Sequence, residues 1–332
     1  MTPPIAIHIA ILNADLPVPA VRSSPHTATY GAIFHTLLSS AASRLSQKSA
    51  TQKTPSQHPT QHPTQTPPLS PSPALPPAPA PTITITSTSF NILANAYPSS
   101  LSLPTTSALL ITGSAASAYD DAAWIRRLER FLRSVYAEWP RVKVFGSCFG
   151  HQVVCRALLG GDVVVERDPK GWEIGVQEIS LAPEFREGFG KTARPLLDDH
   201  DCTAPSANAN APLPPTLRLQ FIHADHVRLR TPRALPPGWV VVGSTPHCAV
   251  QGVYQPGRVL TLQGHFEFDR FVNRETLRVF GEGWGREVLE EGLAAVDQDD
   301  DARVVAEMVV RFLVEGVVGE GHEVVGGLLT PL

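Results

Sequence analysis

Near the start of the chain, Ile5 to Leu12 (IAIHIAIL) is a nearly continuous apolar run. A run of strand length without a polar face suits a strand covered on both sides, the setting of a parallel sheet between helices. Gly31 to Leu45 follows with Ile33, Leu37, Leu38, Ala41 and Ala42 at the spacing of a helical stripe. Strand, loop and helix open an α/β unit, and the pattern resumes downstream. Thr82 to Thr86 and Ala108 to Thr112 read as strands. Trp124 to Trp139 reads as a helix with Ile125, Leu128, Leu132 and Val135 on one face, stopped by Pro140. Its arginines, Arg126, Arg127, Arg130 and Arg133, fall outside that stripe and read as a solvated face. A strand at Val142–Phe145, a helix at His151–Leu159 and a strand at Asp162–Glu166 continue the pattern. Four strands follow, at Leu217–Ile222, Trp239–Gly243, Ala249–Tyr254 and Val259–Gln263. Helices at Arg270–Phe280 and Ala302–Val314 flank an acidic turn.

Composition agrees with one large core. Of 332 residues, 42% are hydrophobic and 24 more are glycine, which is globular usage. The net charge of −4 is no footprint for a nucleic-acid partner. No stretch approaches the ~18 apolar residues of a membrane span. The apolar start lacks the basic region of a signal peptide, so a cytoplasmic protein is expected. Proline is the outlier, at 32 residues. Eleven prolines fall between Pro55 and Pro81, and Lys48 to Pro81 (residues 48–81) reads as a disordered insertion that cannot bury enough apolar surface to fold. Asp201 to Thr216 is a second low-complexity loop. The expected organisation is one domain over residues 1–290 with a helical extension over 291–332.

The richest segment is Gly146-Ser147-Cys148-Phe149-Gly150. It has the form G-x-C-x-G between a strand and a helix, the pattern of a nucleophile elbow. Such a turn forces its central residue into a strained conformation, and flanking glycines remove the side chains that would clash. The thiol then projects beyond the sheet edge at a helix N-terminus, where the dipole favours thiolate. The next N–H, that of Phe149, points to where an oxyanion would form. A small buried cysteine in a glycine-rich turn is the plain alternative. Of the other cysteines, Cys155 lies among Val153, Val154 and Leu158 and reads as core, while Cys202 and Cys248 have no companion base at an interpretable spacing. No pair shows C-x-x-C spacing.

A thiol nucleophile needs an imidazole and a group to orient it. Gln263-Gly264-His265-Phe266-Glu267-Phe268 offers both, because residues two apart on an extended chain share a face. His265 and Glu267 would then point one way, with Phe266 and Phe268 in apolar packing. A chance surface pair is the alternative among 12 histidines. Gly113-Ser114-Ala115-Ala116-Ser117, after an apolar strand, could bring backbone N–H groups close to a ligand or be a plain turn.

Together the stretches ITGSAASAYDDAAWI, FGSCFGHQVVCRALLGG, GWEIG, FIHADHV and LQGHFEF resemble the class I, triad-type glutamine amidotransferase domain, closest to its GMP-synthetase-like subgroup. The resemblance implies a flavodoxin-like three-layer α/β sandwich around a mostly parallel sheet. It implies a Cys-His-Glu triad with Cys148 as nucleophile, His265 as base and acid, and Glu267 as its orienting partner. It places the oxyanion hole at the N–H groups of Phe149 and of Gly113 or Ser114. It gives substrate contacts to Gln152, to the backbone around His223, Ala224 and Asp225, and to the loop of Trp172 and Glu173. No metal or other cofactor is implied. Three positions depart from the family pattern. T-G-S-A-A-S replaces the usual S-G-G-P-x-S, Phe266 replaces a proline between base and orienter, and Ser147 replaces an apolar residue before the nucleophile.

The reaction so implied is hydrolysis of the γ-glutamyl amide of glutamine to glutamate and ammonia, and the small-molecule partner is glutamine or another γ-glutamyl compound. Too little chain follows Glu267 for a synthase domain, so a stand-alone hydrolase giving ammonia for an acceptor is expected, with a separate synthase subunit as one candidate partner. Two alternatives stand beside it: a γ-glutamyl peptidase acting on glutathione-like conjugates, and a non-catalytic regulatory or binding protein of the same fold.

Overall fold

A computed structural model describes residues 4–51, 82–192, 213–231 and 235–316. Most of the proline-rich insertion, most of the 201–216 loop and Cys202 lie outside these residues. In chain order, β1 (Ile5–Asn13), α1 (Tyr30–Thr51), β2 (Ile83–Asn91), β3 (Ala108–Ile111), α2 (Ala123–Glu138), β4 (Lys143–Ser147) and α3 (Phe149–Leu159) form the first half. Then come β5 (Val163–Arg167), β6 (Glu173–Leu181), α4 (Pro183–Thr192), β7 (Thr216–His223) and β8 (Asp225–Leu229). The remaining elements are β9 (Val240–Val241), β10 (Gly243–Ser244), β11 (Val253–Gln255), β12 (Val259–Leu262), α5 (Arg270–Phe280), α6 (Arg286–Val296) and α7 (Ala302–Val314).

The central sheet has seven strands in the order β2-β1-β3-β4-β12-β11-β9. The strands β2, β1, β3, β4 and β12 run parallel, and on one side β11 pairs antiparallel with both β12 and β9. Alternation along β1 explains why its sequence has no polar face. Ile5, Ile7, Ile9 and Ile11 enter the core on the side of α1 and α7, while Ala10 and Leu12 enter the core on the side of α2 and α3. On the α2 side Ile125, Leu128, Leu132 and Val135 make the expected stripe. Two of the arginines off that stripe are paired: Arg126 with Asp121, and Arg133 with Glu129 at 3.1 Å. The fold is a flavodoxin-like α/β sandwich.

A small antiparallel sheet, β10-β6-β7, packs Ile179, Leu181, Leu219 and Phe221 into the α1-side core. The sequence reading does not anticipate β6, α4, β8 or α6. Neither β6 nor α6 has a strong apolar periodicity of its own, and each is shaped by the other. Gly175 on β6, at φ +72°, lies so close to α6 that a Cβ there would sit 2.4 Å from the Cβ of Ala295. The stretch Trp239–Gly243 resolves into two short strands on different sheets, β9 and β10. Helix α1 continues through Lys48 to Thr51, past the start assigned to the insertion. Helix α6 crosses residue 291, and α7 places Val305, Val309, Phe312 and Leu313 in the same core as β1.

The parallel arrangement fixes where chemistry can occur. The chain leaves β1, β3, β4 and β12 at one common edge, on four neighbouring strands, and the crevice beyond the carboxyl ends of such strands is where α/β sheets bind ligands.

Candidate active site

Cys148 occupies the turn between β4 and α3 with φ 52° and ψ −109°, one of two non-glycine residues at positive φ among the described residues. Two contacts explain why glycines flank it. A Cβ on Gly146 would lie 2.5 Å from the carbonyl oxygen of Gly150, and one on Gly150 would lie 2.3 Å from that of Ile111. The Cys148 N–H donates to the carbonyl of Leu262 at 2.9 Å, which locks the turn to the neighbouring strand. The elbow expected from G-x-C-x-G is therefore formed, with the sulfur at the start of α3, where the first N–H groups have no partner within the helix.

The β12 register pairs Leu262 with Ser147, which brings the next segment alongside the elbow. His265 is buried, its N–H donates to the Gln220 carbonyl at 2.8 Å, and its Nδ1 lies 2.7 Å from Glu267 Oε1. The same carboxylate oxygen accepts from Ser147 Oγ at 2.9 Å. His265 and Glu267 do share a side, and Phe266 packs edge-on to Phe34 and Phe145. Phe268 does more than fill the core, since its ring stacks on that of His265 with centroids 4.0 Å apart. Burial alone would lower the imidazole's pKa. The Glu267 carboxylate, then Cys148 and the hydrogen bonds to both, outweigh it and raise the pKa to about 10.

Gly113 faces both groups. A Cβ there would be 3.3 Å from His265 Cε1 and 3.7 Å from Cys148 Cβ. The loop after β3 is held from β1: the N–H of Ala14 donates to Thr112 Oγ1 at 3.0 Å, and Asp15 Oδ2 accepts from the N–H of Ala115 at 3.0 Å. The N–H groups of Ala115, Ala116 and Ser117 are thus engaged by side chains, whereas no hydrogen bond among the described residues takes up those of Gly113 and Ser114. A cavity of about 290 Å³ opens over Cys148 and His265, bounded by Gly113, Ser114, Asp15 and Tyr30 among others. Burial, then Asp15, Glu267 and Cys148, push the Tyr30 phenol well above its usual range, so it stays a donor.

The remaining sequence candidates lie beside this cavity without lining it. Gln152 is buried, and its Nε2 donates to the Asp225 carbonyl and to Gln263 Oε1, each at 3.0 Å. The Asp225 carboxylate accepts from Ser117 Oγ at 2.5 Å and Tyr119 OH at 3.1 Å. Glu173 accepts from Thr245 Oγ1 at 2.5 Å and Gln251 Nε2 at 2.8 Å, with His223 Nε2 at 2.9 Å. Burial works against the Glu173 charge, but these partners prevail and lower its pKa. His223 Nδ1 lies 2.9 Å from the Asp225 carbonyl, so the network braces the backbone through Ala224. Trp172 packs on Phe280 and Trp284. Cys155 is fully buried and Cys248 is buried, with burial pushing both thiols up, the latter to about 12.

Residue-by-residue reading missed Asp15, Tyr30 and Gln263. Gln263 Nε2 approaches Cys148 Sγ at 3.5 Å, and the signal was its place two residues before His265. Asp15 and Tyr30 carry no motif and are brought in by the β1–α1 connection. Among the described residues, no group of three or more His, Cys, Asp and Glu side chains is arranged to hold a metal ion, and no helix is long and apolar enough to cross a membrane.

Over 223 residues the chain is 30% identical to a glutamine amidotransferase-like protein of Schizosaccharomyces pombe, covering 67% of this chain and 77% of that protein. It is 25% identical over 186 residues to gamma-glutamyl peptidase 3 of Arabidopsis thaliana, covering 55% of this chain and 63% of the peptidase. The chain therefore spans less than two thirds of the peptidase's length. The crystal structure of a glutamine amido transferase from Methylobacillus flagellatus matches with a TM-score of 0.51 at 20% identity, over 75% of this chain and 89% of the other, a likeness of fold. No protein-family model matches the chain.

Proposed function

Because the chain belongs to the class I glutamine amidotransferase-like family, we propose that it hydrolyses γ-glutamyl amides, glutamine among them, through a thioester on Cys148. The observation that carries this reading is the convergence of the strained elbow cysteine and the Glu267-held His265 beside Gly113, within 4 Å of where its Cβ would be.

In this reading the Cys148 thiolate attacks the side-chain carbonyl carbon. The developing oxyanion is met by the N–H groups of Phe149 and of Gly113 or Ser114, donors aimed at charge that appears only in the transition state. His265, held in one orientation by Glu267 Oε1, gives its proton to the departing nitrogen. The imidazole then takes a proton from water as that water attacks the thioester, releasing glutamate. A raised imidazole pKa fits the first half of this cycle, in which the ring must begin as a cation beside a thiolate. Ser147 fills a position that is usually apolar and adds a hydrogen bond to Glu267, which makes up for a tether lacking proline. Ammonia released from glutamine would pass to an acceptor on a separate synthase.

The test is labelling by 6-diazo-5-oxo-norleucine, a glutamine analogue that alkylates a nucleophilic thiol. One equivalent should be incorporated at Cys148, excess glutamine should protect, and Cys148→Ser should take up none. Absence of labelling in the intact protein would favour a non-catalytic role.

A further inference from the structure

The cavity over Cys148 is larger and more apolar than release of ammonia requires. It measures about 290 Å³, whereas a water molecule, close to ammonia in size, occupies about 30 Å³ of liquid. The residues to which the family resemblance gives substrate contacts, Gln152, Ala224 and Asp225 among them, do not line it. With the glutamyl end held at those residues, this space is left to the group carried on the nitrogen. There the walls are Val18, Ile222, Phe268 and Phe280, with Leu16 and Val279 at the mouth. Leu16 is 46% exposed and Val279 50% exposed, two apolar side chains facing water at the entrance to a cavity that holds a thiol and an imidazole. Among the described lining residues there is no lysine or arginine, the one cation, His265, is already paired with Glu267, and the acidic residue, Asp15, stands beside the oxyanion loop. A leaving group bearing a carboxylate would bring that charge among apolar side chains and towards Asp15. An uncharged one would displace water from them instead.

We propose that the preferred substrates are γ-glutamyl amides of uncharged, apolar amines, such as aryl or aralkyl amines, with the amine seated between the Leu16 and Val279 rim and the ring of Phe268. The inference rests on the thioester reading of the same site. The Cys148 Sγ–carbonyl carbon bond forms, the carbon–nitrogen bond breaks, and His265 supplies the proton with which the neutral amine leaves. Water then cleaves the thioester to glutamate and restores the thiol. No oxidant, metal or second substrate enters the balance. The selectivity sets this chain apart from an enzyme for glutathione-like peptides, whose leaving group is a charged dipeptide.

The experiment compares kcat/KM of the full chain for L-glutamine, glutathione and γ-L-glutamylbenzylamide, with products followed by chromatography. The benzylamide should exceed each of the others by at least about tenfold, the order of discrimination that a small apolar group gives in a fitted pocket. Val279→Asp, a change at a half-exposed position that leaves the core intact, should lower the benzylamide-to-glutamine ratio by about tenfold, chiefly through KM. Glutamine or glutathione cleaved as well as the benzylamide, or a ratio unmoved by Val279→Asp, overturns the inference. If the glutamine analogue labels Cys148 yet the benzylamide is not cleaved, the inference fails and the thioester reading stands. If there is neither labelling nor cleavage, both fail.

Discussion

At Cys148 the backbone itself holds the side chain in place. Positive φ is strained for any residue with a Cβ, and strain of this kind persists where the surroundings over-determine it and where function uses it. Replacing the sulfur should therefore remove turnover without unfolding the turn. Cys148→Ser and His265→Ala are each expected to reduce kcat by at least about 10³-fold, while Glu267→Gln loses less, because it orients rather than reacts. Steady-state glutamate release from the three purified variants checks the order. Glu267 also leaves a mark on stability. A histidine whose folded pKa is raised stabilises the fold fully below its unfolded value of about 6.5, and that contribution is lost as pH rises through about 10. The melting temperature of Glu267→Gln should thus lie below that of the parent at pH 6, and the gap should close towards pH 10. A gap that widens with pH would contradict the ion pair.

The elements act by handing the site their ends. Helix α3 starts at once after the elbow, and β4 cannot turn into it unless Gly146 and Gly150 stay bare. Gly150→Ala would press a methyl into the backbone of β3 and should destabilise by about 1–3 kcal/mol or more, seen as a lower urea midpoint. The β1–α1 connection has a different task. Asp15 fastens the loop after β3, with Oδ2 on the Ala115 N–H, while Oδ1 accepts from its neighbour Leu16. Asp15→Ala should loosen the N–H groups of Gly113 and Ser114 relative to Cys148. The expected result is a fall in kcat of about tenfold or more with little change in labelling by the glutamine analogue, because removing a positioning contact costs most in the transition state.

At the scale of the molecule, a long segment has been inserted where it disturbs nothing described. The Ile83 N–H at the start of β2 donates to Ser46 Oγ, less than two turns before the end of α1. The chain just before and just after residues 52–81 is therefore brought together. Replacing residues 52–81 by a short Gly/Ser linker should leave turnover unchanged and shift the melting temperature by no more than about 3 °C, since loop length enters closure entropy only logarithmically. A large loss of activity would give the insertion a role. The last described helix is tied to the central sheet. Lys143 Nζ, buried under the sheet, donates to the carbonyls of Phe312 and Glu315 at 2.6 Å each, so the end of α7 is fastened to β4.

Local sequence determined much of this protein. Unbroken apolar runs called for buried parallel strands, the stripe of α2 gave its inner face, and two bare glycines around a cysteine called for an elbow, because these signals come from short-range sterics and periodicity. Strand β6 of the small antiparallel sheet and α6 were not legible, because Glu173–Leu181 and Arg286–Val296 become regular by packing on each other. Neither was the wall opposite Cys148. Asp15, Tyr30 and Val279 lie far from it along the chain and carry no motif. Only the parallel ordering of β1, β3, β4 and β12, which gathers four strand ends at one edge, places them around the same sulfur.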